Sequence, residues 1–392
     1  MAELKINGKD VTQDLISFTQ ELVRIQSYSG QEEGVAKAIA AKMEALGYDE
    51  VNIDRWGNVL GRLGSGEKSL LFESHTDTVQ VHDADQWQVP PFSGEVRDGF
   101  LWGRGSADMK AGLAASVFAP AIAKSRGELD GKTVYVDCSI FEEDCDGVGL
   151  QQLMQDTGLK PDYAVICEPS SNQIALGHNG KAQIIVKTHG ISAHGSAPEK
   201  GKNAVYEMAE IIQRVEETNL NLEKINGRKG TLVLSRISST GVSLNAVPSE
   251  CEIYLDRRLV PGEDEDTVRA EMEKIIAGKD AEWEIDTVHR TTWTGEAIVY
   301  HPLHPAWEIG RDHHLAQAFI QAFGGVFGKP PADEDFTYWD FSTNAVALVS
   351  KGVPCIGLGP GDSKLAHMRD ERCPLEQIID ACALYTGVIA KI

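Results

Sequence analysis

Two histidines and several acids stand where short apolar runs stop. Ser74-His75-Thr76-Asp77 follows the run LLFE. His75 offers an imidazole there, and Asp77 a carboxylate placed to accept its other N–H, which fixes the tautomer of a metal ligand. Gly103-Arg104-Gly105-Ser106-Ala107-Asp108-Met109-Lys110-Ala111-Gly112 sets one carboxylate in a glycine-dense turn before a helix. Asp108 is placed either to bridge two cations or, like Ser106, to cap that helix. Glu142-Glu143-Asp144 follows TVYVDCSIF. Adjacent acids at the end of a buried strand repel each other, and a cation or a shared proton relieves the cost. One of the pair then binds metal while the other, with a raised pKa, serves as general base. Together with Asp146 the same residues also suit a solvated acidic turn. Glu168 in CEP and His367, after Gly359-Pro360-Gly361, complete the set. Imidazole and carboxylate together suit zinc or a similar divalent ion. Paired metals about 3.5–4 Å apart need roughly this many ligands, one carboxylate being shared.

Positioning such residues takes an α/β layer. Leu15, Phe18, Leu22 and Ile25, then Val35, Ile39, Met43 and Leu46, recur at helical spacing and predict two amphipathic helices broken by SYSGQEE. The runs from Ser69, Thr133 and Tyr163 are too short for helices and too apolar for edge strands. They read as buried strands of a mostly parallel sheet, alternating with helices at 107–125 and 147–158. Ligands gather at the carboxyl edge of such a sheet.

Near Lys181 the texture changes. KAQIIVKTHG, TLVLSRIS and SECEIYLDRR alternate apolar and polar residues, with helices expected at 203–217 and over EDEDTVRAEMEKII. Closed by AEWEIDTV, this is strand–helix–strand–strand–helix–strand, a small ferredoxin-like α+β sandwich. After about residue 292 the α/β texture returns, with HHLAQAFIQAF as a helix, VPCIGLGP as a strand and LEQIIDACALYTGVI as the closing helix. The expected architecture is a discontinuous catalytic domain, 1–180 and 292–392, carrying an inserted domain, 181–291.

Composition narrows the function classes. A chain of 392 residues is too long for one core at about 150 residues per domain. Its 42% apolar and 24% charged residues exclude wholesale disorder. No run of 18 apolar residues predicts a membrane-spanning helix, and MAELKINGKD has no apolar core of a secretory signal. The seven scattered Cys, without a CxxC pair, read as reduced and mostly buried thiols of a cytoplasmic protein. A net charge of −22 argues against nucleic acid and anionic membranes as partners, and suits a site that gathers cations.

SHTDTV at 74–79, GRGSADMKAG at 103–112, EEDCDG at 142–147, CEP at 167–169, AHGSAPEKGKNA at 193–204 and GPGDSKLAH at 359–367 together resemble the M20 metallohydrolases. The nearest branch is that of acetylornithine deacetylase and succinyl-diaminopimelate desuccinylase. Within it, EEDCDG, DRRL (256–259), TWTG (292–295) and FSTN (341–344) are similar to hydrolases associated with selenium metabolism.

The resemblance runs nearly end to end and implies a site. His75 and Glu168 would hold one divalent metal, Glu143 and His367 the other, and Asp108 would bridge them through a residue with a cis bond to Met109. Zinc is the expected metal, and cobalt or manganese fits the same ligands. Asp77 would orient His75. Glu142 would be the general base, taking a proton from the attacking water and giving it to the leaving amine. His194 would reach the active site of the partner subunit in a homodimer formed through the inserted domain, with Asn245 beside it to stabilise the oxyanion. Arg258 would clamp a substrate carboxylate through its planar fork. Gly359 and Gly361 would offer backbone N–H groups to the substrate, Pro360 having none. On their own, His194 equally suits an exposed loop, and Arg258 a pair with Asp256 or Glu263.

The other histidines, at 82, 178, 189, 289, 301, 304, 313 and 314, show no ligand spacing, and His313 or His314 is placed to cap a helix. Most Trp residues read as core or rim; Trp293, Trp339 and FSTN lie where the family binds the substrate's side chain. Three functions compete: a deacylase cleaving the amide of an N-acyl amino acid or similar carboxylated amine, a carboxypeptidase or dipeptidase with the same centre, and a non-catalytic binding relative. Occupancy of every ligand position and of the base disfavours the third. Glu168, rather than Asp, leans towards deacylases and carboxypeptidases by resemblance.

Overall fold

The computed structural model describes residues 3–225, 227–241 and 243–392. Its largest sheet has nine strands, and the middle of that sheet is parallel. Cys355–Gly357, Tyr163–Ile166, Lys68–His75 and Lys132–Ser139 lie side by side in that order. Antiparallel strands form the margins. Val59–Gly64 and Glu50–Ile53 follow Lys132–Ser139 on one side, and Ile174–His178 lies beyond Cys355–Gly357 on the other. The sheet is therefore mixed as a whole and parallel at its centre. Leu70 to His75 are all buried, so both faces of the central strand are covered, which is why its sequence is a continuous apolar run without alternation.

The two amphipathic helices near the N-terminus are Thr12–Arg24 and Glu33–Ala45. The helix Lys110–Ser125 is buried from Lys110 to Ala123 and packs on the closing helix, Leu375–Lys391. Its Ala- and Gly-rich face permits close approach. A Cβ on Gly112 would lie 2.2 Å from the carbonyl oxygen of Cys167, so only glycine lets this helix start against the strand end that carries Glu168. The expected start at 107 is three residues early, because 103–109 form turns rather than helix.

The inserted unit has its own core, including Ile184, Val186, Met208, Ile211, Ile253, Leu255 and Met272. Its strands Gly180–His189, Thr231–Thr240, Glu250–Leu259 and Ala281–Ile285 pair antiparallel in the spatial order second, third, first, fourth. Helices Ala204–Asn221 and Glu265–Ile276 provide the two crossovers, the second started by an Asp264–Thr267 capping box. This is the ferredoxin-like α+β arrangement. The chain leaves it through the hairpin Val288–Thr291 and Ala297–Tyr300, and Leu303–His304 still pairs with the first inserted strand. Trp307–Glu308 then rejoins the large sheet beside Ile174–His178. All seven cysteines are free and buried. No described helix is long and apolar enough to cross a membrane.

Candidate metal centre

Each side chain of the expected centre follows one of the four central parallel strands or the turn beside them. His75 ends Lys68–His75, Glu142 and Glu143 follow Lys132–Ser139, Glu168 follows Tyr163–Ile166, and His367 lies on the loop after Cys355–Gly357. Because these strands are adjacent and parallel, all their carboxyl ends open on the same edge. Asp108 comes from the turn before the buried helix, and its bond to Met109 is cis.

Asp108 stands between the two imidazoles. Its Oδ1 lies 3.0 Å from His75 Nε2 and its Oδ2 3.5 Å from His367 Nε2. His367 Nε2 is also 2.7 Å from Glu143 Oε2, and Glu168 Oε1 is 3.7 Å from His75 Nε2. Two sets of donor atoms, His75–Asp108–Glu143 and His75–Glu142–Glu168, each fall within 4.8 Å of one another. The loops that carry them hold Phe141 (φ 59°) and His367 (φ 63°) in the left-handed region, costly for side chains of this size.

Charge explains what the site can hold. Burial pushes the carboxyls of Glu142 and Glu168 well above the usual range, and burial with the neighbouring Asp108 raises Glu143 to about 7. Burial would also raise Asp108, but hydrogen bonds from His367 and His75 outweigh it and hold the carboxyl low. His75 is driven up, despite burial, by Glu168, Asp108 and Asp77, and His367 is raised to about 10 by Asp108 and Glu143. Among the described residues no lysine or arginine pairs with Asp108, Glu142, Glu143 or Glu168. Four clustered carboxylates whose cationic ion-pair partners are imidazoles fit divalent cations, whose binding displaces the retained protons.

Asp77 meets His75 through its backbone rather than through the carboxylate that the sequence suggested. His75 Nδ1 is 2.9 Å from the backbone carbonyl of Asp77 and 3.5 Å from its carboxylate. That carboxylate accepts the backbone N–H groups of Glu142 (3.0 Å) and Glu143 (3.2 Å) and the hydroxyl of Ser29 (2.6 Å). Its main hydrogen bonds therefore hold the loop that carries the two glutamates.

Gly359 and Gly361 require a correction. The N–H of Gly359 donates to Ser170 Oγ (3.1 Å) and that of Gly361 to Gln377 Oε1 (2.8 Å), so neither is free for a substrate. Their lack of a side chain is what matters. A Cβ on Gly359 would lie 2.4 Å from the carbonyl oxygen of Glu168, and one on Gly361 2.8 Å from Ala107 Cβ. The turn packs against the two segments that carry Glu168 and Asp108.

Arg258 lines a cavity of about 310 Å³ together with Asp108, Glu142, Glu143, Glu168 and His367. Its guanidinium pairs with Asp256 at 2.9 and 3.0 Å, while the neighbouring Arg257 takes Glu263 and Glu271. His194 and Asn245 are not brought to this cavity within the chain. They line a separate depression on the inserted unit, where His194 Nδ1 accepts from the Ser196 backbone N–H (3.1 Å) and lies 2.7 Å from its hydroxyl. Phe341 and Ser342 line the metal-side cavity, whereas Trp339 is core, its indole donating to the Pro169 carbonyl. His313 caps its helix through Nδ1.

Two features escaped the sequence. Glu371 is fully buried and accepts from Arg104 (2.6 Å) and from the backbone N–H groups of Gly105, Ala107 and Asp108. It organises the whole turn that presents Asp108. Lys181 donates to Asp146 at 2.6 Å inside the same cavity as the metal ligands. Glu371 carries no motif signal, and nothing in the motif that holds Asp146 announces its pairing with Lys181, since both contacts depend on partners far away in the chain.

An α/β sheet with this cluster at its carboxyl edge and a ferredoxin-like insertion defines a metallohydrolase. The chain belongs to the peptidase family M20/M25/M40, whose model matches residues 71–391. It is 34% identical over 386 residues to the uncharacterized protein YgeY of Escherichia coli K12, covering 97% of this chain and 95% of that one. It is 29% identical over 400 residues to the succinyl-diaminopimelate desuccinylase of Corynebacterium glutamicum, covering 100% of both. Among solved structures, an M20 family metallo-carboxypeptidase, Sso-CP2 from Sulfolobus solfataricus, superposes with a TM-score of 0.76 at 19% identity, over 96% of this chain and 99% of that one. The protein is a metal-dependent hydrolase acting on amide bonds.

Proposed function

We propose that this protein is a dinuclear-metal amidohydrolase that cleaves the amide of an N-acyl amino acid or a similar carboxylated amide. The observation that carries the reading is Asp108 lying between His75 and His367, with Glu143 and Glu168 beside them. His75 and Glu168 would hold one ion, Glu143 and His367 the other, with Asp108 shared; zinc suits this donor set best, cobalt or manganese next. These residues would hold two divalent ions, which would supply Lewis-acid activation of a water and of the scissile carbonyl.

The chain's own residues do the rest. Glu142, kept in a water-poor position by burial, takes the proton of the attacking water and delivers it to the leaving nitrogen. Asp77 holds the Glu142–Glu143 loop in register with His75. Arg258 receives the substrate carboxylate, its rear face already fixed by Asp256. His194 with Asn245 from a partner subunit would supply the oxyanion donors. That requires a homodimer through the inserted domain, 181–291, carried on the catalytic halves 1–180 and 292–392. Free, buried thiols fit a cytoplasmic enzyme.

Amine release from N-acyl amino acids, dipeptides and N-carbamoyl amino acids tests the proposal. The protein is stripped of metal and reloaded with zinc, cobalt or manganese, with Glu142→Ala as the blank. Metal-dependent release from acyl amino acids but not dipeptides is expected, and Glu142→Ala should keep its metal and fold while turnover falls by about 10²–10⁴-fold. Dipeptide cleavage instead would move the protein to the carboxypeptidase or dipeptidase class. Full activity in Glu142→Ala would sink the base assignment.

A further inference from the structure

Lys181 and Arg258 sit opposite each other on adjacent antiparallel strands, Gly180–His189 and Glu250–Leu259. Residues so paired point to the same face, with Cβ atoms about 4.5–5.5 Å apart. Both line the cavity that holds the metal ligands. Two like charges at such spacing repel, and each is held by its own aspartate. Asp146 Oδ1 takes Lys181 Nζ at 2.6 Å, and Asp256 takes two of the nitrogens of Arg258.

Those aspartates do not exhaust the cations. An ammonium has three donors and a guanidinium five. Among the described residues, Asp146 is the only hydrogen-bond acceptor of Lys181 Nζ, and Arg258 Nη1 has none. The Lys181 side chain is only 8% exposed, yet it lines both the metal-side cavity and an adjoining cleft of about 540 Å³. Ser342 lines the metal-side cavity as well. A buried ion pair adds little net stability, and this one lies on the walls of two cavities rather than in the core.

We propose that Lys181 is a specificity-determining residue, forming with Arg258 a two-cation site for a substrate that bears two carboxylates. Arg258 receives the first, as in the function proposed above, on which this inference rests. Lys181 receives the second, with Asp146 holding the ammonium in place from the other side. The substrate class is then a dianionic amide, in which the acyl group or the amino-acid side chain ends in an additional carboxylate. Monoanionic acyl amino acids and dipeptides with neutral side chains leave the Lys181 donors unmet.

Binding to the zinc-loaded Glu142→Ala protein, measured by calorimetry, separates this from catalysis. Glutarate and pentanoate differ by one carboxylate, and a charge-assisted hydrogen bond corresponds to about 10–100-fold in affinity. Glutarate should bind tighter by about that factor. Lys181→Met should erase the preference while leaving pentanoate within about threefold. Because removing Lys181 alone orphans Asp146, the double variant Lys181→Met/Asp146→Asn is measured beside it and should lose the preference equally. The same substitution in the active enzyme should cut kcat/KM for N-succinyl amino acids, through KM, far more than for N-acetyl amino acids. Equal affinity for glutarate and pentanoate, or a preference that survives in both variants, would overturn the proposal. A Lys181-dependent preference without amine release from any acyl amino acid would support the two-cation site and instead sink the deacylase reading.

Discussion

The carboxylate of Asp77 accepts the backbone N–H of Glu142 at 3.0 Å, so a residue two positions after His75 holds the loop that follows the neighbouring strand. The same carboxylate takes Glu143 N–H and the Ser29 hydroxyl, and it is fully buried. Its charge is spread over three donors, and His75 lies against its backbone carbonyl.

Asp77→Asn should therefore injure both chemistry and metal binding. The amide keeps one acceptor oxygen and turns an NH2 toward donors. Residues that support metal ligands in this way cost about 10–100-fold in affinity or activity when changed. Metal content after dialysis against a graded chelator, read with kcat on saturating zinc, should show both losses. A variant with unchanged metal affinity and unchanged kcat would contradict the role.

Glu371→Gln tests the turn that carries Asp108. The substitution leaves Arg104 buried without its counter-charge, and breaking a buried pair from one side costs about 3–5 kcal/mol. Thermal unfolding of the metal-free protein should occur at clearly lower temperature, with weaker metal binding as Asp108 loses its backbone support. Arg104→Met/Glu371→Gln should recover part of the stability, because no lone charge remains.

Acid should destabilise the metal-free protein through His178. Burial lowers its pKa to about 3, and Nδ1 accepts from the Thr343 backbone N–H at 2.9 Å. The unfolded chain takes up a proton near pH 6.5 that the native state refuses. This histidine's contribution is fully present above about pH 6.5 and is lost as pH falls toward about 3, at about 1.4 kcal/mol per pH unit. His304, lowered to about 4 by burial, acts in the same direction. Denaturant midpoints from pH 7 to 5 should fall less steeply in His178→Asn, whose side chain retains an acceptor for Thr343. Identical slopes would exclude His178 as the source.

Action of His194 across a dimer predicts complementation. Glu142→Ala and His194→Ala should each be nearly inactive alone. Co-expressed, they should regain about one quarter of the wild-type activity, since half the dimers are mixed and each mixed dimer has one intact site. No recovery, or a chain that sediments as a monomer at working concentration, would refute action in trans.

Much of the fold and of the candidate metal centre was legible in the chain, because strong signals were local. Apolar runs such as the one ending at His75 mark strands buried on both faces, and a polar residue that ends such a run must sit at a sheet edge. That logic picked out His75, Glu142, Glu143, Glu168 and His367, the glycine-dense turn before a helix added Asp108, and motif resemblance supplied their pairing. The alternation beyond Lys181 marked a second, half-exposed sheet, since the period of side chains along a strand is two.

Tertiary structure decided what depends on partners distant in sequence. Residues 104 and 371 meet only because two loops fold together, and no local pattern announces that an acid will be buried. The N–H groups of Gly359 and Gly361 are consumed by Ser170 and Gln377, which a motif with free-looking glycines cannot reveal. Strand register alone set Lys181 opposite Arg258, and a slip of one residue would have turned Lys181 to the other face of the sheet. Composition and spacing determine which chemistry the chain carries; the packing of loops and the register of strands decide which charges share a cavity, because electrostatic partners are chosen by distance in space.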